Sequence, residues 1–400
     1  MTVTNAAVLV PGQGLRSRVL RLADPRDDQV LVRIEASGVC HSDLHVLDGD
    51  WPVEEPIVLG HEGAGVVEAV GPAVRDVRPG DHVVLSWFAP CRRCEACAAG
   101  RAWLCSNTKA VSNTLPDGST PLSDEDGTPV LPFLGLGTFS EYAVVPETAA
   151  IVVPDEVPFP VGALIGCAVT TGVGAAVHTA GVRPGESAVV IGCGGVGQAV
   201  VLGLGLAGAQ PVVAVDLSDR RLGLARELGA THTLRGDDPA LAEKVLEITG
   251  GAHHAFEAIG RAATIEALPG LLRAGGNAVL VGMTALGTRV SFDPFDLADQ
   301  GKNILGCNYG SSVPAVDFPR LASLYLSGRL PLDRLVGAEA GLAGLPAAFA
   351  DLRAGTGLRT VVRPGAPAGT SAGTSAGTSA GTDTWTDTGA NAGTNEGVRS

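Results

Sequence analysis

The chain has 400 residues, 45% of them hydrophobic, with 28 basic against 42 acidic side chains and a formal net charge of −14. That length and hydrophobic fraction predict two globular domains and exclude wholesale disorder, while the acidic balance argues against a nucleic-acid partner. The 55 glycines follow no every-third-residue period, which excludes a collagen-like helix and leaves them for turns, tight packing and close backbone approach to a ligand.

Met1 to Pro11 has no basic residue ahead of its short apolar run, which predicts a chain that is not exported and works in the cytoplasm. From Ala6 to about Pro158 short apolar runs are broken by Gly, Pro and Asp: Val30 to Ile34, Gly65 to Val70, Asp81 to Leu85 and Tyr142 to Val145. This pattern predicts a mostly β domain with long loops, residues 1–163. From about Gly162 to Gly282 the pattern changes. Buried-strand runs at Ala188 to Ile191, Val212 to Val215, Ala255 to Ile259 and Ala278 to Val281 alternate with helical stretches such as Arg220 to Leu228. That alternation predicts an α/β domain, a doubly wound parallel sheet spanning 164–301. Residues 302–363 contain an amphipathic segment, Phe318 to Leu326, and are expected to return to the first domain. In 364–400, Gly369 to Thr382 repeats a four-residue Gly-Thr-Ser-Ala unit and Trp385 is the only large apolar residue, so this part is expected to be a disordered tail. Ala188 to Val215 is the most apolar stretch, but Gly192, Gly194, Gly195, Gly197, Gly203, Gly205, Gly208 and Pro211 interrupt it too often for a membrane span.

Four thiols, Cys91, Cys94, Cys97 and Cys105, fall within one loop, 90–107, at intervals of two, two and seven residues. Four thiolates so spaced can close a tetrahedron around one zinc and leave no open position, which is a structural site. Disulfides, a CxxC redox pair and an iron–sulfur cluster are the competing readings. Cys40, His61 and Cys167 form a less local set: two thiolates and an imidazole would hold zinc with a fourth position free, although a single His before Glu62 is also an ordinary core or surface residue. Gly192-Cys193-Gly194-Gly195-Val196-Gly197 follows the strand run Ala188 to Ile191 and precedes a helical run from Gln198. Strand, glycines and helix in that order let backbone approach a pyrophosphate at a helix N-terminus. Asp216 ends the next strand, where a carboxylate accepts hydrogen bonds from a ribose and repels a 2′-phosphate, favouring NAD over NADP. A turn or helix-capping role for Asp216 is the alternative, with Ser218 and Asp219 also suited to a cap.

Together these residues resemble the zinc-containing medium-chain alcohol dehydrogenase family, over nearly all of Ala6 to Val362. The run Gly60-His61-Glu62 with Gly65, Gly71 and Val74 looks like its zinc signature, the cysteine quartet like its structural-zinc lobe, and Gly192 to Gly197 with Asp216 like its NAD site. The resemblance implies a GroES-like catalytic domain beside a Rossmann domain, two zinc ions per chain, NAD, and a catalytic zinc on Cys40, His61 and Cys167. It implies that Asp43 orients the histidine ligand, that Glu62 approaches the metal during exchange, that Ser42 hydrogen-bonds the substrate oxygen, and that His45 passes the proton to solvent through the nicotinamide ribose. His41 stands where the family often has arginine near the pyrophosphate. Arg359 matches a second pyrophosphate contact, Arg221 a ribose contact, and Val196 lies within the cofactor turn. Trp51, Trp87, Phe133 and Leu134 match pocket positions and imply primary or hydrophobic alcohols; as bulky residues they equally suit a core.

Ser37 to His45, His61 to Pro72 and Gly137 to Tyr142 look like a bacterial branch that includes nitrosoaniline-dependent alcohol dehydrogenases and mycothiol-dependent formaldehyde dehydrogenases. Lys109 sits where glutathione-dependent formaldehyde dehydrogenases carry an arginine for a substrate carboxylate; a solvated lysine is the plainer reading. Three functions therefore stand side by side: an NAD-linked alcohol dehydrogenase, a formaldehyde dehydrogenase acting on a thiol adduct, and a non-catalytic nucleotide-binding protein. The resemblance also implies a homodimer without nucleic-acid or membrane partners. Cys193 and Cys307 are expected to be small packing residues.

Overall fold

Val, Ile and Leu dominate the strand Gln29–Gly38, and its side chains are buried almost without alternation, the pattern of a strand covered on both faces. It lies in the middle of a seven-stranded sheet. In order, that sheet runs Ala150–Val152, His82–Leu85, Glu62–Val70, Gln29–Gly38, Arg359–Val362 and Val336–Ala340, with Tyr142–Pro146 also paired to Gln29–Gly38. Thr2–Val10, Gly14–Leu22, Leu122–Ser123, Pro129–Pro132 and Ile57–Val58 close a small barrel beside it. This computed structural model describes residues 2–355 and 357–366; the repeat Gly369 to Thr382 and Trp385 lie outside the described residues.

The second sheet has six parallel strands in the order His232–Arg235, Val212–Asp216, Ala188–Ile191, Ala252–Glu257, Leu272–Leu280 and Asn303–Gly306. Strand order reverses direction around Ala188–Ile191, so a crevice opens at the carboxyl ends of that strand and of Ala252–Glu257. The strand expected to reach Ile259 stops at Glu257 because its buried carboxylate accepts the N–H groups of Ile259 (3.1 Å) and Gly260 (2.9 Å), which turns the chain.

A strand pairing crosses one expected boundary and a helix spans the other. Asn303–Gly306 pairs in parallel with the strand Leu272–Leu280, so the doubly wound sheet extends past 301 and the return begins after its sixth strand. The return is then made by the helix Pro314–Leu326, which packs against Ala150–Val152, and by Val336–Ala340 and Arg359–Val362, which finish the first sheet. Phe318 on that helix is fully buried, and its truncation to alanine would cost about 3–5 kcal/mol. The other boundary, 163/164, falls inside a continuous helical run, Phe159–Thr179. That run is long and apolar enough to cross a membrane, but 89% of its apolar window is buried inside the fold. Its first turns pack on Gln29–Gly38 and Glu62–Val70 and its later turns on the helix Gly195–Ala207, so it serves as core for both sheets. Ala188 to Val215, the other apolar stretch, folds as strand, helix and strand.

Candidate active site and metal centres

The loop carrying the cysteine quartet is shaped by its own backbone. The four sulfurs lie within 4.8 Å of one another, and Cys94 Sγ and Cys105 Sγ are 3.8 Å apart, well beyond a disulfide bond. Cys94 N and Asn107 Nδ2 each donate to Cys91 Sγ at 3.3 Å, and Cys91 N donates to Cys105 Sγ at 3.3 Å. Backbone donation, led by Arg93, pulls the Cys91 thiol down to about 6, whereas burial and the neighbouring thiols push Cys97 up to about 12. Four converging sulfurs with N–H donors fit a closed zinc site.

A second convergence joins residues far apart in sequence. Cys40 N-caps the short helix His41–Leu47 at the end of the central strand, His61 follows the turn before Glu62–Val70, and Cys167 lies in a wide π-helical turn, Ile165–Val169. π-Turns of this kind recur at functional sites. Ligand atoms of Cys40, His61, Glu62 and Cys167 lie within 4.8 Å of one another, and all four residues are buried. Asp43, fully buried, organises them: Oδ2 accepts Cys40 N (3.1 Å), and Oδ1 accepts Gly60 N (2.8 Å) and lies 3.2 Å from His61 Nδ1. Among the described residues the opposite nitrogen, His61 Nε2, is buried without a hydrogen-bond partner, as a metal-facing nitrogen would be. Hydrogen bonding from Cys167 holds the Cys40 thiol well below its usual range, and the same contact with burial holds Cys167 well above it. Burial opposes charge on His61, but Asp43 outweighs it and raises His61 well above the usual histidine range. The two thiols and the imidazole therefore fit zinc, with Glu62 beside them. Burial pushes the Glu62 carboxyl up to about 8, and Arg359 Nη2 lies 3.4 Å from its Oε1.

A cavity of about 1240 Å³ runs from these residues into the crevice of the parallel sheet. Cys40, His61 and Cys167 border it, as do His41, Ser42, His45, Gly192, Gly194, Gly195, Val196, Asp216, Arg221 and Arg359. Gly197 must be glycine, since a Cβ there would sit 1.8 Å from Gly192 O. At Gly194 a Cβ would meet no atom within 4 Å, which leaves open space beside the helix N-terminus where a pyrophosphate fits. Asp216 is held by Cys193 N (2.7 Å) and Ser218 N (2.8 Å), with Arg221 Nη1 3.8 Å away. Ser218, rather than Asp216, caps the following helix. Arg359 Nη1 donates to Val39 O (2.8 Å), and its Nη2 lies against the Gly195 turn, so it sits between the nucleotide turn and Glu62.

Trp51, Trp87, Phe133 and Leu134 all line the cavity. Phe133 meets His61 edge-on, and Leu134 is held at a positive φ of 50° by Asn113, whose side-chain oxygen accepts Leu134 N at 2.9 Å. Lys109 is exposed and does not border this cavity. Cys193 is wholly buried beneath the nucleotide turn, and Cys307 accepts a hydrogen bond from Thr179 Oγ1 at 3.4 Å.

Comparison with known proteins matches residues 26–155 to the alcohol dehydrogenase GroES-like domain and 195–327 to the zinc-binding dehydrogenase domain. The chain belongs to the zinc-dependent medium-chain alcohol dehydrogenase family. Among its relatives are an S-(hydroxymethyl)glutathione dehydrogenase of Paracoccus denitrificans, 36% identical over 90% of this chain and 99% of that protein, and an NDMA-dependent alcohol dehydrogenase of Amycolatopsis methanolica, 39% identical over 90% and 98%. An alcohol dehydrogenase zinc-binding domain protein from Burkholderia ambifaria of known structure superposes with a TM-score of 0.86 at 40% identity, covering 90% of this chain and 99% of that one.

For an alcohol dehydrogenase of this family, the fold adds residues that sequence reasoning missed. Tyr309, at φ 53°, is buried in the cavity wall, lies tilted against Trp87 with ring centroids 4.7 Å apart and donates its hydroxyl to Gly166 O, next to Cys167. Asp50 lies 2.8 Å from His45 Nδ1, and Met283 O lies 3.2 Å from His45 Nε2. Asp50 was available in the sequence as an acceptor five residues beyond His45; Met283 and Tyr309 carried no local signal.

Proposed function

We propose that this dehydrogenase uses NAD to oxidise primary or hydrophobic alcohols reversibly to aldehydes, with its catalytic zinc on Cys40, His61 and Cys167 and its structural zinc on Cys91, Cys94, Cys97 and Cys105. The observation that carries this reading is a buried two-thiol, one-imidazole set that opens onto the same cavity as the Gly192 to Gly197 turn and Asp216. When bound, zinc polarises the alcohol oxygen and lowers its pKa, and NAD accepts the hydride.

The chain's own residues do the rest. Asp43 fixes the ring of His61 through Nδ1, which leaves Nε2 to face the thiols. Ser42, whose Oγ lies 3.9 Å from Cys40 Sγ, hydrogen-bonds the substrate hydroxyl and takes up its proton. His45, at the cavity edge, receives that proton by way of the ribose and releases it to solvent. Asp216 and Arg221 hold the adenosine ribose, and His41, Arg359 and the backbone from Gly192 to Gly197 hold the pyrophosphate. Trp51, Trp87, Phe133 and Leu134 keep water from the reacting carbon and favour an apolar substrate. The same reading takes a cytoplasmic homodimer that engages neither nucleic acid nor membrane, in keeping with the net charge of −14, and a domain division into catalytic and nucleotide-binding parts.

A thiol-adduct formaldehyde dehydrogenase is the second reading, favoured by the Paracoccus denitrificans relative but not by Lys109, which lies off the cavity. NADH formation from alcohols of increasing length, run beside formaldehyde with and without a small thiol, tests the two. Turnover of long or aromatic alcohols without thiol is the expected result; turnover with thiol alone would overturn it.

A further inference from the structure

His45 sits between two groups that can only accept hydrogen bonds. Asp50 Oδ2 is 2.8 Å from Nδ1, and Met283 O is 3.2 Å from Nε2. The ring cannot turn freely: Trp51 stacks on it with centroids 4.8 Å apart, and Trp51 Nε1 is itself tied to Thr284 O at 3.1 Å. Asp50 is fixed through its backbone as well, since Asp50 O accepts Leu286 N at 3.4 Å. A neutral imidazole has one proton for two acceptors. The closer and charged acceptor, Asp50, claims it on Nδ1, which leaves the Nε2 lone pair on the cavity side. Once Nε2 is protonated, both N–H groups have acceptors already in place.

We propose that Asp50 is the positioning residue of His45: it selects the Nδ1–H tautomer, so that Nε2 is the base, and it supports the imidazolium that forms when Nε2 takes the proton. This rests on the reading of His45 as the base of the relay. The step is a proton transfer alone, in which the N–H bond on Nε2 forms as the bond to the donor hydroxyl breaks. No proton passes to Asp50. Its side chain is 44% exposed against 18% for His45, so the pair also faces outward, where the proton leaves to water.

The test uses the full-length zinc-loaded protein with ¹⁵N-labelled histidine. Long-range ¹H–¹⁵N correlation, about two units above the usual histidine pKa, reports which nitrogen of His45 carries the proton. His45→Gln identifies the signal among the eight histidines. The Nδ1–H form is expected in the wild type and should give way to a mixture in Asp50→Asn. In the same variant kcat for alcohol oxidation should fall about 10–100-fold with KM for NAD unchanged. Asp50→Glu should recover most of the rate, and added buffer base should accelerate Asp50→Asn but not the wild type. A wild-type Nε2–H tautomer, or an unchanged kcat in Asp50→Asn, would overturn the proposal. If the wild type turned over no alcohol, the role of His45 would fall, and the tautomer would still decide that of Asp50.

Discussion

The two metal centres are built in opposite ways. The quartet uses fifteen consecutive positions, Cys91 to Cys105, and its sulfurs are fixed by backbone N–H groups of the same loop, so little of the rest of the fold is needed to form it. The other set draws Cys40 from a strand end, His61 from a turn and Cys167 from a π-helical turn, and it exists only when the first sheet and the Phe159–Thr179 helix are packed together. A local set can spend all its ligands closing on a metal and return stability to its loop. An assembled one places fewer ligands at the wall of a cavity and leaves room for a substrate. Stability should therefore depend on the first centre and chemistry on the second.

Substitutions can break that division. The largest effect is expected from Cys40→Ser, which should lower alcohol turnover at least about 1000-fold, the equivalent of about 4 kcal/mol of barrier, while thermal unfolding shifts little; steady-state rates and a melting curve on one preparation check both halves. Next, Cys94→Ser should lower Tm by about 10 °C, the shift that about 3–5 kcal/mol produces in domains of this size, and protein that remains folded should keep its turnover. Asp43→Asn should weaken zinc at the assembled site about 10–100-fold by releasing His61 and leave the quartet's metal in place, read by competition with a chelator. The quartet's zinc affinity should also fall as pH drops through the region near 6 where Cys91 takes up its proton, because binding requires thiolates; titration calorimetry in buffers of different ionisation heat would show the released protons. The smallest effect is expected at Asp216→Ser, which should narrow the preference for NAD over NADP by about tenfold, the ratio set by about 1.4 kcal/mol.

What could be read from the sequence follows the same division between local and assembled. The quartet, the glycine turn and four of the six parallel strands announce themselves through short spacings and runs, because their geometry depends on near neighbours. The two edge strands, His232–Arg235 and Asn303–Gly306, have exposed and half-buried side chains rather than a continuous buried run, and so escaped notice. The assembled site was legible only by likeness to a family: Cys40 and Cys167 are 127 positions apart by number, and nothing in their spacing says that a π-turn brings them together. Long-range pairings had no sequence signal at all. Arg359 against Val39 and Glu62, Met283 O on His45, and the Tyr309 hydroxyl on Gly166 arise from strands and turns meeting across the cleft. Only the fold displays those contacts.

X-ray absorption at the zinc edge of Cys94→Ser, in which the quartet is broken, addresses the open assembled site most directly. Zinc retained with two sulfur neighbours at about 2.3 Å and nitrogen or oxygen neighbours at about 2.0–2.1 Å is the expected spectrum, together with retained alcohol turnover. Zinc with four sulfur neighbours, or active protein with no zinc bound, would contradict an open catalytic site on Cys40, His61 and Cys167.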